Sequence, residues 1–213
     1  MSTHVQHPHA ARRERLVHRR APRPHHGGSR GNELLTSANA VLLIALLLAQ
    51  GVTVLALDSM IHIHLFVGVV LLGPVALKLA STGYRFARYY TGAREYRAAG
   101  PPPSLLRAIA PIFVFATVGL FGSGIAMLLR GSGGGLLGTV HVASFWIWLG
   151  CLAVHVTFNA REVITMVRSQ WLARARERIA GAQVRAALVL GSLLGGILLA
   201  ISLLSKITGW HGD

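Results

Sequence analysis

The side chains of this chain that could do chemistry are few and widely spaced. Within its apolar stretches the ionisable residues are His62, His64, Lys78, His141 and His155. Charged or chargeable groups are costly in such surroundings, which makes each of them a functional candidate. His141 and His155 are fourteen positions apart, which on a helix is ~21 Å along the axis. Fourteen steps of ~100° fall about 40° short of four full turns, so both rings leave the same face. One metal ion cannot bridge them, but two stacked cofactors could use one each. His62 and His64 differ by ~200° around a helix, so only one can face a neighbour. His64 is the better choice, because its face continues through Gly68, Leu71, Val75 and Lys78. Gly68 leaves room there for a flat ligand. Lys78, fourteen residues after His64, lies level with His155.

The elements that must hold these residues follow from composition. Of 213 residues 53% are apolar and only 13% charged, against roughly 25% charged in a soluble domain. A chain this short keeps a large surface, so the solvent around that surface must be lipid. A spanning helix needs ~20 apolar residues, and five segments qualify: about Leu34–Leu57, Ile61–Ser81, Leu105–Leu129, Leu137–Ala160 and Arg185–Ser205. The expected fold is an all-α membrane bundle of about five spans over residues 34–206. It is flanked by a disordered basic tail, 1–33, and a short outer tail, 207–213. The middle of each span is apolar, which argues against a transporter with a polar midplane site.

Orientation follows from the 21 Lys and Arg residues. The tail holds seven arginines. Arg85, Arg88, Arg94, Arg97 and Arg107 lie around the second loop, and Arg161, Arg168, Arg174, Arg176, Arg178 and Arg185 around the fourth. With five spans these three segments share one side, and the positive-inside rule makes it cytoplasmic, with the amino terminus. The same rule accounts for the net charge of +14 without invoking nucleic acid. The second and fourth spans then run the same way, which sets His64 level with His141 near the outer face and Lys78 level with His155 near the inner one.

The remaining features read as structural. Asp58-Ser59-Met60 is a tight hairpin and "RGSGGGLLG" a flexible turn without the Lys and Ser/Thr of a phosphate loop. The stretch after Ala160 reads as an amphipathic basic helix on the inner membrane surface. Ala116, Gly119, Ser123 and Ala126 form a small-residue face on the third span, suited to a haem ring or to close helix packing. Gly191 and Gly195 are assigned to helix packing. Tyr84, Tyr89, Tyr90, Trp171 and Trp210 read as interfacial aromatics. Trp146 and Trp148 lie deeper, in core packing or against a cofactor. Cys151 reads as a small buried apolar residue.

Two histidines four turns apart on one helix, opposite a histidine on a second helix of the same direction, resemble the pattern of membrane b-type cytochromes. That family includes respiratory cytochrome b and the cytochrome b subunits of formate dehydrogenases and nickel-iron hydrogenases. The resemblance implies a four-helix bundle holding haem b, with His64, His141 and His155 as iron ligands and Gly68 beside the ring. The chain departs from the pattern at Lys78, where a histidine would be expected, so one haem is implied and a second is open. Lys78 could ligate it or could snorkel to lipid phosphate. The implied role is a multi-pass cell-membrane subunit that passes electrons between an outer oxidoreductase partner and quinone or a cytoplasmic donor. The alternative is a cofactor-free scaffold or assembly subunit with structural histidines.

Overall fold

The computed structural model describes residues 28–100, 104–173 and 181–211, with the backbone alone for 159–173. Among these residues there is no strand. The helices are α1 (Gly28–Leu55), α2 (Leu57–Tyr90), α3 (Arg94–Ala98), α4 (Ser104–Arg130), α5 (Gly135–Ala173), α6 (Ala182–Ser202) and α7 (Leu204–Thr208). Five of them, α1, α2, α4, α5 and α6, are long and apolar enough to cross a membrane. Helix is the form such segments must take, because lipid offers no partner for a backbone N–H or C=O. Large apolar side chains point outward along them, among them Leu48, Phe115 and Leu198. The chain is a multi-pass membrane protein, all-α in class.

Several boundaries differ from the expected ones. α1 begins at Gly28, so 28–33 are helical rather than part of a disordered tail; residues 1–27 lie outside the described residues. The first turn between spans falls at Ala56, and Asp58-Ser59-Met60 already belongs to α2, with a kink at Met60 (φ −118°, ψ 17°). α5 runs without interruption to Ala173. At 39 residues it is ~58 Å long, about twice the hydrocarbon core. The expected surface helix after Ala160 is thus the continuation of the fourth span. α3 is a short helix in a loop for which none was expected, and its Tyr96 is buried and donates to the Gly28 carbonyl at 3.1 Å.

α1 and α2 pack as an antiparallel pair, α6 packs along α2, and α4 and α5 form a second pair that touches α2 only lightly through α4. The α1–α2 seam is polar, against the expectation of uniformly apolar spans. Asn32 Nδ2 donates to the Ser81 carbonyl at 3.0 Å, and Asn39 Nδ2 to the Pro74 carbonyl at 2.8 Å. Asn39 is 0% exposed, and its Oδ1 has no partner among the described residues.

The α2–α6 seam is backbone against backbone. Proline at 74 has no N–H to give the carbonyl of Val70, four residues earlier. That carbonyl instead meets Gly196, and the Ser192 carbonyl meets Gly73 in return. A Cβ at either glycine would strike a carbonyl, so small residues here permit the contact. The packing glycine of α6 is Gly196, with Ala200 at 0% exposure one turn on; Gly191 and Gly195, assigned to packing from the sequence, face open space.

The carboxyl-terminal segment folds back on the bundle. Ile207 and Trp210 are buried in one cluster with Val69, Val70, Leu128 and Ala200. Ile207 and Trp210 thus anchor a segment expected as an outer tail to the core, while Thr208, Gly209 and His211 stay exposed, and Trp210 is a core residue rather than an interfacial aromatic. Its indole rests on Gly133 of the glycine-rich turn, which makes that turn a packed element.

Candidate functional site

α2 and α5 are not packed against each other. Between them lies an apolar cavity of about 540 Å³, lined by His64 from α2 and His141 from α5. Its walls include Leu120, Phe121 and Gly124 of α4, Phe145 and Trp148 of α5, and Trp210. The volume is in the range of small-molecule and cofactor sites. The lining comes from the end of α1, the start of α2, the end of α4 and the start of α5, so the cavity occupies the half of the bundle away from the arginine-rich loops. The two imidazoles are within electrostatic reach of each other.

Neighbouring helices hold each ring. His141 Nδ1 lies 3.0 Å from the Leu120 carbonyl, which can only accept, so Nδ1 carries the proton. Ser123 Oγ stands 3.2 Å from the same nitrogen and donates to the Gly119 carbonyl at 2.6 Å. Gly124 makes room for the ring: a Cβ there would sit 3.2 Å from His141 Cε1. The arrangement leaves the Nε2 lone pair of His141 uncommitted, the condition a metal-ligating histidine requires.

His64 is held from α1. Thr53 donates to the Gln50 carbonyl at 2.6 Å, and its oxygen is 3.0 Å from His64 Nδ1, where it can accept the ring proton. The Gln50 amide lies along the same ring, with Nε2 3.2 Å from the His64 carbonyl and 3.0 Å from Nδ1. Gln50 Oε1 is buried beside the cavity without a partner among the described residues. In the tautomer that uses Thr53, His64 Nε2 carries the lone pair, and the Gln50 amide stands 3.3 Å from it as a donor that a ligand at Nε2 would have to displace. Gln50, Thr53 and Gly124 were not picked out from the sequence; Ser123 was, but as part of a small-residue face and not as a partner of His141.

The other candidate residues divide clearly. Gly68 lines the cavity, and a Cβ there would only meet Gln50 Nε2 at 3.6 Å. His62 is exposed, on the side away from the cavity. Lys78 and His155 do not line it. They lie near one another in the opposite half, within electrostatic reach; Lys78 Nζ donates to the Thr36 carbonyl at 3.4 Å, and His155 packs on Phe113 with centroids 6.0 Å apart. Of the small-residue face on α4, Ala116 and Ser123 are buried and Gly119 abuts Ser144 of α5, where a Cβ would sit 2.6 Å from its Oγ. That stripe is helix packing. Trp148 lines the cavity whereas Trp146 is 64% exposed toward lipid. Cys151 is half-buried with a free thiol; the side chain of Trp171 lies outside the described residues.

Among the described residues no three of His, Cys, Asp and Glu converge as a metal site. A bare ion would therefore lack ligands here, whereas a haem would ask only for the two imidazoles of His64 and His141 from the protein. An apolar cavity of this size, two imidazoles with Nδ1 tied to neighbouring helices, and a glycine on either side suit such a group. No family model matches the chain, and neither does any curated protein or solved structure.

Proposed function

We propose that this chain is a membrane electron-transfer subunit that binds one b-type haem between α2 and α5 through His64 and His141. The observation that carries the reading is the cavity itself: two helices that are not packed together present imidazoles into one apolar space of about 540 Å³. Bound there, the haem would supply one-electron redox chemistry. The protein's residues do the rest. Leu120 and Thr53 fix the ring tautomers, and Gly68 and Gly124 keep space at the walls. Phe121, Phe145, Trp148 and Trp210 exclude water, which shapes the redox potential. The position near the side opposite the arginine-rich loops favours exchange with an oxidoreductase subunit on that outer face, with quinone as the membrane-side partner.

A second reading has one observation in its favour. If the Gln50 amide donates to His64 Nδ1, the ring is satisfied within the α1–α2 hairpin, as in a structural interhelical hydrogen bond. The chain would then be a cofactor-free scaffold subunit. The absorption spectrum of protein expressed with ample haem, purified and reduced with dithionite separates the two. A sharp reduced b-type band is expected; a colourless preparation would sink the cytochrome reading and leave the scaffold.

A further inference from the structure

The opposite end of the bundle holds a second cavity, unrelated to the histidines, of about 730 Å³. Its walls come from the first turn of α1, the end of α2, α3 and the start of α6. Arg88, Arg94 and Arg185 line it, against the single carboxylate of Glu95. Tyr84, Tyr96 and Asn32 complete the polar lining. Arg185 is half-buried, with its guanidinium between the first turn of α1 and the residue before α6: Nη1 is 3.8 Å from where a Cβ of Gly31 would stand and 3.4 Å from that of Gly181. Glu95 sits against Gly28, at the side of the cavity formed by α1.

From this cavity and its arginines we infer a binding site for a phosphate group, that of an anionic phospholipid headgroup. Three arginines lining one cavity suit a phosphate, because guanidinium–phosphate hydrogen bonds are charge-assisted and strong. Two long helices, α1 and α6, also begin at the cavity, and their first N–H groups add positive potential at its floor. The location selects the source. The cavity opens where the spans leave the apolar layer on the arginine-rich side, the level at which lipid headgroups lie. Leu35 and Val184 line its membrane side, where acyl chains would begin. The site ties α3 and the ends of α1, α2 and α6 together, so its occupancy stabilises this end of the bundle.

Native mass spectrometry of the full-length protein in detergent, titrated with phosphatidylglycerol or phosphatidylcholine, tests the proposal. Wild-type protein is expected to retain phosphatidylglycerol in preference to phosphatidylcholine. Arg88→Gln and Arg94→Gln, both exposed side chains, should each weaken that binding about fivefold, the worth of one basic residue near an anionic lipid. Arg130→Gln, at the far end of α4, should leave it unchanged. Competition by millimolar inorganic phosphate in place of lipid preference would keep the phosphate site and assign it a soluble ligand. Equal retention of both lipids, with no competition by phosphate, overturns the proposal. So does wild-type affinity in the Arg88→Gln/Arg94→Gln double variant.

Discussion

The two halves of the bundle begin with similar materials and end differently. Each half carries one ionisable residue from α2 and one histidine from α5, at matching depths: His64 with His141, and Lys78 with His155. In the first half both side chains face one apolar cavity, and each ring is braced by a third helix. In the second, Lys78 reaches the Thr36 backbone of α1 and His155 lies on Phe113, with neither in that cavity. What differs is the neighbourhood. Gly124 and the Leu120 carbonyl of α4 let His141 turn its Nδ1 away from the cavity, whereas a primary amine with a long stem finds the nearest carbonyl. Equal depth on parallel helices therefore does not bring two side chains into one cavity; the packing of the adjacent helices decides that.

The largest test of this contrast removes the rings one at a time. His64→Ala and His141→Ala should each abolish the reduced-haem band, and His155→Ala should leave it at close to wild-type height. Loss of the same band in all three variants would erase the distinction between the halves.

A second test compares the closed seam on one side of α2 with the open gap on the other. Gly196→Leu forces a side chain against the Val70 carbonyl, an overpacking expected to cost about 2–3 kcal/mol. Gly68→Ala borders the cavity with only a 3.6 Å contact and should change stability by less than about 0.5 kcal/mol. Thermal unfolding in detergent measures both, and an equal loss in the two variants contradicts the described packing.

Bracing can be weakened without removing a ligand. Thr53→Val deletes the acceptor at His64 Nδ1 and keeps the side-chain shape, so haem retention should fall about tenfold, as for other supporting partners of metal ligands. Haem transfer to apomyoglobin reads this directly; unchanged transfer would mean that Gln50, not Thr53, sets the tautomer.

The smallest effect is expected at Lys78. Lys78→Met removes a semi-buried amine with a 3.4 Å hydrogen bond and replaces it with an apolar chain of similar length. Such exchanges are often neutral or slightly stabilising. A large drop in melting temperature, or a change in the haem spectrum, would place Lys78 in a functional role.

Much of the fold was legible from residue order alone. The five spans follow from uninterrupted apolar runs, because a backbone in lipid must satisfy itself as helix. The choice of His64 over His62 also followed from helical geometry, since a 200° separation leaves one ring for the interior. The choice of packing glycine did not. Gly195 and Gly196 differ by one step of ~100°, and nothing local says which faces α2. The polar seam of α1 was missed because Asn39, Gln50 and Thr53 are isolated in long apolar runs, and their partners are a carbonyl and a ring on α2. The outer tail was misread because Ile207 and Trp210 are too few to show a period.

By itself the sequence determined the apolar surroundings, the five long helices and the relative register of the ionisable groups along them, all properties of a single helix in lipid. Helix rotation and spacing were decided only by tertiary structure. These set α2 apart from α5, turned Leu120's carbonyl toward His141 rather than any other of the many carbonyls on α4, and gathered three arginines from distant segments around one cavity. Every residue carries a carbonyl and many carry a charge, so only the packing of whole helices selects which of them meet.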